Sequence, residues 1–130
     1  MRTIKFRGYN KKNSAWLYGS YILNRGAHFV APDEFADGKT WEDYEVDPAT
    51  VGQFTGLHDR NGIKIYEGDI LLYNGNRRTV EWNYGTFGLS MHENGFPFQA
   101  FYELPVPIVD STVVDNIHDD KNLLEKGGKK

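Results

Sequence analysis

The dipeptide Asn74-Gly75 constrains this chain more than any other feature. It stands between two runs, residues 69–73 and 76–82, that are rich in β-branched, aromatic and aliphatic side chains. A two-residue type I′ turn needs positive φ at both central positions, and Asn-Gly is the pair that adopts it at least cost. Two antiparallel strands joined there are therefore expected, with Tyr73 and Asn76 facing each other across the turn. The same punctuation recurs elsewhere. Asn24-Arg25-Gly26 separates a strand-like run at 15–23 from another at 27–31, and Tyr84-Gly85 precedes one at 86–91. Residues 3–8 alternate apolar Ile4 and Phe6 with basic Lys5 and Arg7, the period of a half-buried strand. A polar turn at 10–13 leads into the second run.

Residues 32–40 are acidic and hold Pro and Gly, so they read as a surface loop. The pattern at 41–46 fits a short helix or a strand. Asp47-Pro48 places an N-cap before a proline at the first helical position, predicting one helical turn through Thr50. Residues 51–55 read as extended and 111–117 as a strand. Pro97, Pro105 and Pro107 argue against a ladder interior at 92–107. Asp119 or Asp120 is expected to cap a short helix around Leu123 and Leu124, and the Gly-Gly-Lys-Lys tail to fray. Seven or eight short strands with little helix make a mostly β (α+β) antiparallel protein, built as a small barrel or sandwich.

One hundred and thirty residues suit one domain or two subdomains. The absence of cysteine excludes disulfides and thiolate zinc sites. No apolar run approaches the length of a membrane span, and the N-terminus lacks a signal-like apolar stretch, so a cytoplasmic protein with no membrane association is expected. Charge is unevenly placed. Residues 1–32 carry six bases and no acid, whereas residues 33–69 carry ten acids and three bases. The basic block is either a binding arm or one half of a fold screened by the acidic half.

The stretch TGLHDRNGIKIYEGDILLYNG, residues 55–75, gathers the residues most suggestive of chemistry. Asp59, Asn61 and Gly62 match part of a calcium loop, yet the positions that should hold its first carboxylate and its bidentate glutamate are Leu57 and Gly68. Gly56, Gly62 and Gly68 fit no phosphate-cradle spacing. His58-Asp59 and His118-Asp119-Asp120 resemble halves of a dinuclear metal site, but adjacent residues on extended chain point to opposite faces. Asp33, Asp37, Gly38 and Lys39 crowd one loop rather than successive strands, against a nuclease. Turn chemistry accounts for more: Asp59 as an Asx-turn, Asn61-Gly62 at positive φ, and Gly68-Asp69 as a tight bend with Asp69 accepting backbone N–H groups. The structural set is thus Asp59, Asn61, Gly62, Gly68, Asp69, Asn74 and Gly75, with no metal, cofactor or catalytic residue.

Residues 50–57, then Asp59, Asn61-Gly62 and 65–70, resemble the central signature of the YopX-like proteins of bacteriophages and prophages. The opening residues 4–7 and the ending, 113–118 with Leu123 and Leu124, are similar to that family's ends. Asp115 stands where the family often has Gly, and His58 where Lys is common. The resemblance implies a mixed N-terminal part (1–55), a C-terminal part similar to an SH3-like barrel (56–124) with a frayed tail (125–130), a bacterial host cell, and no catalytic residues.

A non-catalytic binding or host-modulating protein acting through protein–protein contacts is the leading expectation, with an unknown protein partner or a second copy of the chain. Most of Phe6, Trp16, Phe54, Trp82 and Phe87 are expected in the core. The alternative is a nucleic-acid module: Lys5, Arg7, Lys11 and Lys12 beside stacking surfaces on Trp16, Tyr18 and Tyr21. It requires those bases to face solvent; screening by residues 33–69, with the aromatics turned inward, is the expected outcome. An enzyme would need Glu67, Asp69 and Glu81 to converge.

Overall fold

The computed structural model describes residues 3–91 and 98–119. The chain divides into two units, Met1–Phe54 and Thr55–Lys130. In the first, β1 (Phe6–Asn10), β2 (Ala15–Asn24) and β3 (Ala27–Ala31) form the expected meander. The long β2 serves two partners in turn. Its first half pairs with β1, from Phe6↔Gly19 to Asn10↔Ala15, and its second half with β3, from Ser20↔Ala31 to Asn24↔Ala27. The change of partner falls at Gly19, where an added Cβ would lie 2.1 Å from the carbonyl oxygen of Ala31. Only glycine permits that approach.

The other edge of β1 meets β4 (Gly52–His58) at Phe6↔Gln53 and Arg7↔Gly52. Residues 41–46 resolve as a 3-10 turn, Trp41–Tyr44, followed by a lone bridge from Glu45 to Phe29. With Val46 N–H donating to the His28 carbonyl, this segment covers the outer edge of β3. Asp47 caps the turn Pro48–Thr50 as expected, accepting from the Ala49 amide at 3.0 Å. Val30, Ala31, Tyr44, Val46 and Phe54 are buried. Val46 packs so closely on Gly8 that a Cβ there would meet its side chain at 2.8 Å.

In the second unit, β4 continues to His58 and is flanked by β5 (Lys64–Tyr66). A five-stranded antiparallel sheet follows in the order β10-β6-β7-β8-β9, with β6 at Asp69–Tyr73, β7 at Asn76–Asn83, β8 at Thr86–Met91, β9 at Gln99–Ala100 and β10 at Thr112–Asn116. This sheet is open: β10 and β9 are its edges, so the strands do not close into the expected barrel. One reason is local, because β9 is only two residues long before the 3-10 turn at Phe101–Glu103. The core is Ile65, Leu71, Tyr73, Val80, Leu89 and Ile108, with Leu57, Phe101, Leu104, Val106 and Val113 packed against it. Each such aliphatic side chain contributes roughly 1.5–3 kcal/mol on burial. Tyr73 keeps its polar end satisfied: its hydroxyl donates to the Val106 carbonyl at 2.6 Å and accepts from the Val106 amide at 3.0 Å.

The hairpin at Asn74-Gly75 forms as expected, with φ of 48° and 83° and Tyr73 opposite Asn76. Two others share its form, Arg25-Gly26 (52°, 81°) and Tyr84-Gly85 (56°, 78°). The C-terminal helical turn starts earlier than expected. Asn116, not Asp119, is its cap, its side-chain oxygen accepting from the amides of His118 and Asp119 at 2.9 and 2.8 Å. The helix around Leu123 and Leu124, Asp120 and the tail lie outside the described residues.

Candidate interaction surfaces

The corner at 58–69 is built around two buried carboxylates. Asp59 Oδ1 accepts from the amides of Asn61 (2.8 Å) and Ile63 (2.9 Å), and Oδ2 accepts from Val113 (2.9 Å). The Asx-turn expected there is present, and it also ties down β10; Arg60 N–H adds a bond to the Ser111 carbonyl. Gly62 has positive φ (79°), but Asn61 does not: it is the third residue of a turn that the Gly62 amide closes on the Asp59 carbonyl at 3.0 Å, and Gly62, the fourth, carries the left-handed backbone. Asp69 Oδ2 accepts from the Tyr66 amide at 2.7 Å across the bend at Gly68, where φ is 92°. Burial, the largest single influence on Asp59, pushes its carboxyl up. The amides of Val113, Ile63 and Asn61, with the charge of His58, outweigh it, and the net shift is downward.

Glu81 is held locally by Asn83 Nδ2 at 2.9 Å. Among the described residues, no group of three or more His, Asp or Glu could hold a metal ion.

The basic N-terminal residues form a column on one face of the β1–β2 pair. Residues directly opposite in antiparallel strands share a face, so Arg7 lies with Tyr18, and Tyr9 with Trp16. Lys5 Nζ sits 6.0 Å from the Tyr18 ring centre and the Arg7 guanidinium 5.1 Å from that of Trp16. The edge of one ring of the Tyr9–Trp16 pair meets the face of the other at 5.5 Å. The two cations are thus interleaved with aromatic rings. Arg7 is only 6% exposed and Lys5 half-buried, so the strand does not present the four bases to solvent together.

Lys11 and Lys12 are exposed but engaged, Lys11 with Asp47 at 3.4 Å, Lys12 with Asp43 at 3.2 Å and Glu42 at 3.7 Å. The Asp43 carboxyl is pushed down to about 2, first by the Thr40 amide, then by Asn13 and Lys12. Lys11, Lys12, Glu42 and Asp47 line a cavity of about 460 Å3 between the β1–β2 turn and residues 42–48. Screening by the acidic segment is therefore present. The aromatics, however, do not all turn inward: Tyr18 is 47% exposed, Tyr21 is also exposed, and Trp16 is half-buried.

Of the five aromatics expected in the core, Phe54 is buried, Phe6, Trp16 and Phe87 are half-buried, and Trp82 is 50% exposed. Trp82 and Phe87 pair across β7 and β8 on the face of Val80 and Leu89, but toward the hairpin tip, past the end of the core. Their rings meet at 4.7 Å. Beyond them Tyr84 stands at the tip, 94% exposed, its ring 6.0 Å from that of Phe98. Phe98 itself lies where a Cβ on Gly88 would strike its ring at 2.4 Å. Tyr102 is likewise exposed. This aromatic group was not anticipated from the sequence, although a tyrosine in a position suited to asparagine or glycine was its available signal.

Comparison with known proteins decides the family. The YopX protein family model matches residues 5–125. The chain belongs to the YopX family. No curated protein matches the sequence. Among solved structures, the crystal structure of protein EF1440 from Enterococcus faecalis is similar in fold, with 22% identity over 95% of this chain and 99% of that one and a TM-score of 0.55.

Proposed function

We propose that this YopX-family chain is a phage- or prophage-encoded, non-catalytic binding protein that acts in the cytoplasm of a bacterial host, with its second sheet serving as an open, SH3-like platform for a protein partner. One observation carries the reading. Tyr84 occupies the left-handed region at φ 56° while being almost wholly exposed. A non-glycine residue there costs about 1–2 kcal/mol, and Tyr84 recovers little of it by packing. Asparagine would suit the turn better, so a tyrosine there points to a use outside the fold. Tyrosine and tryptophan dominate the residues that anchor protein interfaces, and Trp82 lies beside it on the same hairpin.

The test is affinity capture from phage-infected cells with the wild-type chain, Tyr84→Asn and Trp82→Ala, followed by affinity measurement on any captured protein. Loss of an anchor should weaken binding by about 2 kcal/mol, roughly thirty-fold. A partner held equally well by all three chains would sink the proposal.

A further inference from the structure

Residues 33–47 form a second surface, in the first unit, that does not rest on the reading of Tyr84. This segment holds seven acids and one base, Lys39. Glu42, Asp43 and Asp47 are matched by the lysines of the β1–β2 turn. Asp33, Glu34, Asp37 and Glu45 are exposed, and no ion pair involves them among the described residues. Amid these carboxylates stand two exposed rings, Trp41 at 50% and Phe35 at 37%. They are held in place. Phe35 packs on Trp41 at 4.8 Å and on Tyr44 at 4.4 Å, and Trp41 on Phe29 at 5.2 Å. The buried Tyr44 hydroxyl accepts from the Ala36 amide at 3.1 Å, and the Lys39 amide closes a turn onto the Ala36 carbonyl, so the backbone that carries the rings is fixed as well.

We infer that the Trp41–Phe35 patch docks an arginine-rich segment of a protein partner. The occupant follows from charge complementarity. A half-exposed indole on a segment whose carboxylates outnumber its local cations attracts a guanidinium twice over. The field of the carboxylates draws it in, and the ring quadrupole with the flat stacking geometry retains it. Phosphate-bearing or acidic partners are repelled by the same field. Because the rings are already packed and the loop already hydrogen-bonded, little ordering cost remains to be met on binding.

The experiment uses the full chain and a fluorescein-labelled peptide of alternating arginine and glycine, read by anisotropy at an ionic strength of about 0.15 M, where surface attraction alone is largely screened. Binding is expected, weaker by about three-fold or more for the lysine peptide of equal charge, since an ammonium stacks poorly on indole. Trp41→Leu and the triple variant D33K/E34K/D37K should each weaken it by about ten-fold. The triple variant alters only exposed side chains, which guards against Trp41→Leu disturbing the loop. A matched pair of reversals gives the control: Asp37→Lys should weaken binding, and Asp110→Lys, an exposed carboxylate of the second unit, should not. Equal loss in that pair, or equal affinity for the two peptides with no effect of Trp41→Leu, would reduce the attraction to net charge and overturn the inference. Absence of binding at that ionic strength would overturn it too. So would self-association through the patch on sedimentation, which would assign it to a second copy of the chain.

Discussion

Replacing Asp59 by alanine should do more damage than any single surface change in the chain. The carboxylate is 5% exposed and receives three backbone N–H groups, from Asn61, Ile63 and Val113, all within 2.9 Å. A hydrogen bond to a charged acceptor contributes about 1.5–3 kcal/mol, and a buried donor left without one costs about 1–3. Water entering the vacated corner recovers part of the loss, so the expected destabilisation is about 3–5 kcal/mol rather than the full sum. Against a typical total of about 5–15 kcal/mol, that is severe, and it corresponds to a fall in Tm of roughly 10–20 °C.

Asp59→Asn should cost about half as much, because the amide oxygen can still serve Asn61 and Ile63 while its NH2 group opposes the Val113 amide. The sign of the pH dependence follows from the lowered pKa of Asp59. A carboxylate lowered on folding stabilises fully above its unfolded value, about 3.9, and that contribution is lost as pH falls through the folded value. Wild type should therefore lose stability more steeply than Asp59→Asn as the pH falls below about 4, the ordinary carboxylate value. Urea unfolding across that range, with hydrogen exchange at Ile63 and Val113, measures both. A loss below about 1 kcal/mol in Asp59→Ala, or unchanged exchange at Val113, would refute the reasoning.

Gly75→Val should lower stability by about 1–2 kcal/mol on thermal melting, since Gly75 sits at φ 83° and a β-branched residue resists that region. Tyr84→Asn should raise stability by several tenths of a kcal/mol, the expected sign if the native tyrosine is kept at a structural cost. Adding calcium or EDTA should leave the melting temperature unchanged; a shift of several degrees abolished by Asp59→Ala would reinstate a metal site at the corner. Lys12→Ala should move the NMR-monitored titration of Asp43 upward from about 2 toward its ordinary value without restoring it fully, since the Thr40 amide is the larger cause. Labelled oligonucleotides should show no tight, salt-sensitive binding at low salt; such binding, lost on charge reversal of Lys5 and Lys11, would promote the nucleic-acid alternative.

Local signals carried most of the strand map. The hairpins at 24–26, 74–75 and 84–85 were legible because positive φ in a two-residue turn leaves few choices of side chain, and Asp47-Pro48 because a cap and a fixed φ act within three residues. The family signature located the corner at 55–69, and turn chemistry explained Asp59 and Asp69. What failed depended on long-range geometry. Closure of the second sheet turns on how many residues β9 contributes, and nothing in 92–107 marks Gln99–Ala100 as a strand of two. Trp82 has the composition of a core residue. Its exposure comes from its distance along β7 beyond Val80, where the packing layer ends.

The basic face shows most clearly why the candidate site could not be read in advance. Alternation along residues 3–8 places Lys5 and Arg7 on one side, and that much is correct. Whether such a side meets solvent depends on which rings its neighbour strand sets opposite, and that register is fixed by the length of β2 and the Gly19 corner. Given Arg7 opposite Tyr18 and beside Trp16, the guanidinium is enclosed by aromatic surface, and its charge is spent within the fold. The acidic segment answers Lys11 and Lys12 through Asp47, Asp43 and Glu42, which leaves an excess of carboxylates on the segment that carries Trp41 and Phe35. The electrostatic asymmetry of the sequence is therefore real, and in the first unit, where seven acids face seven bases, the negative excess is confined to residues 33–47. A search for partners should begin with cationic proteins rather than nucleic acids.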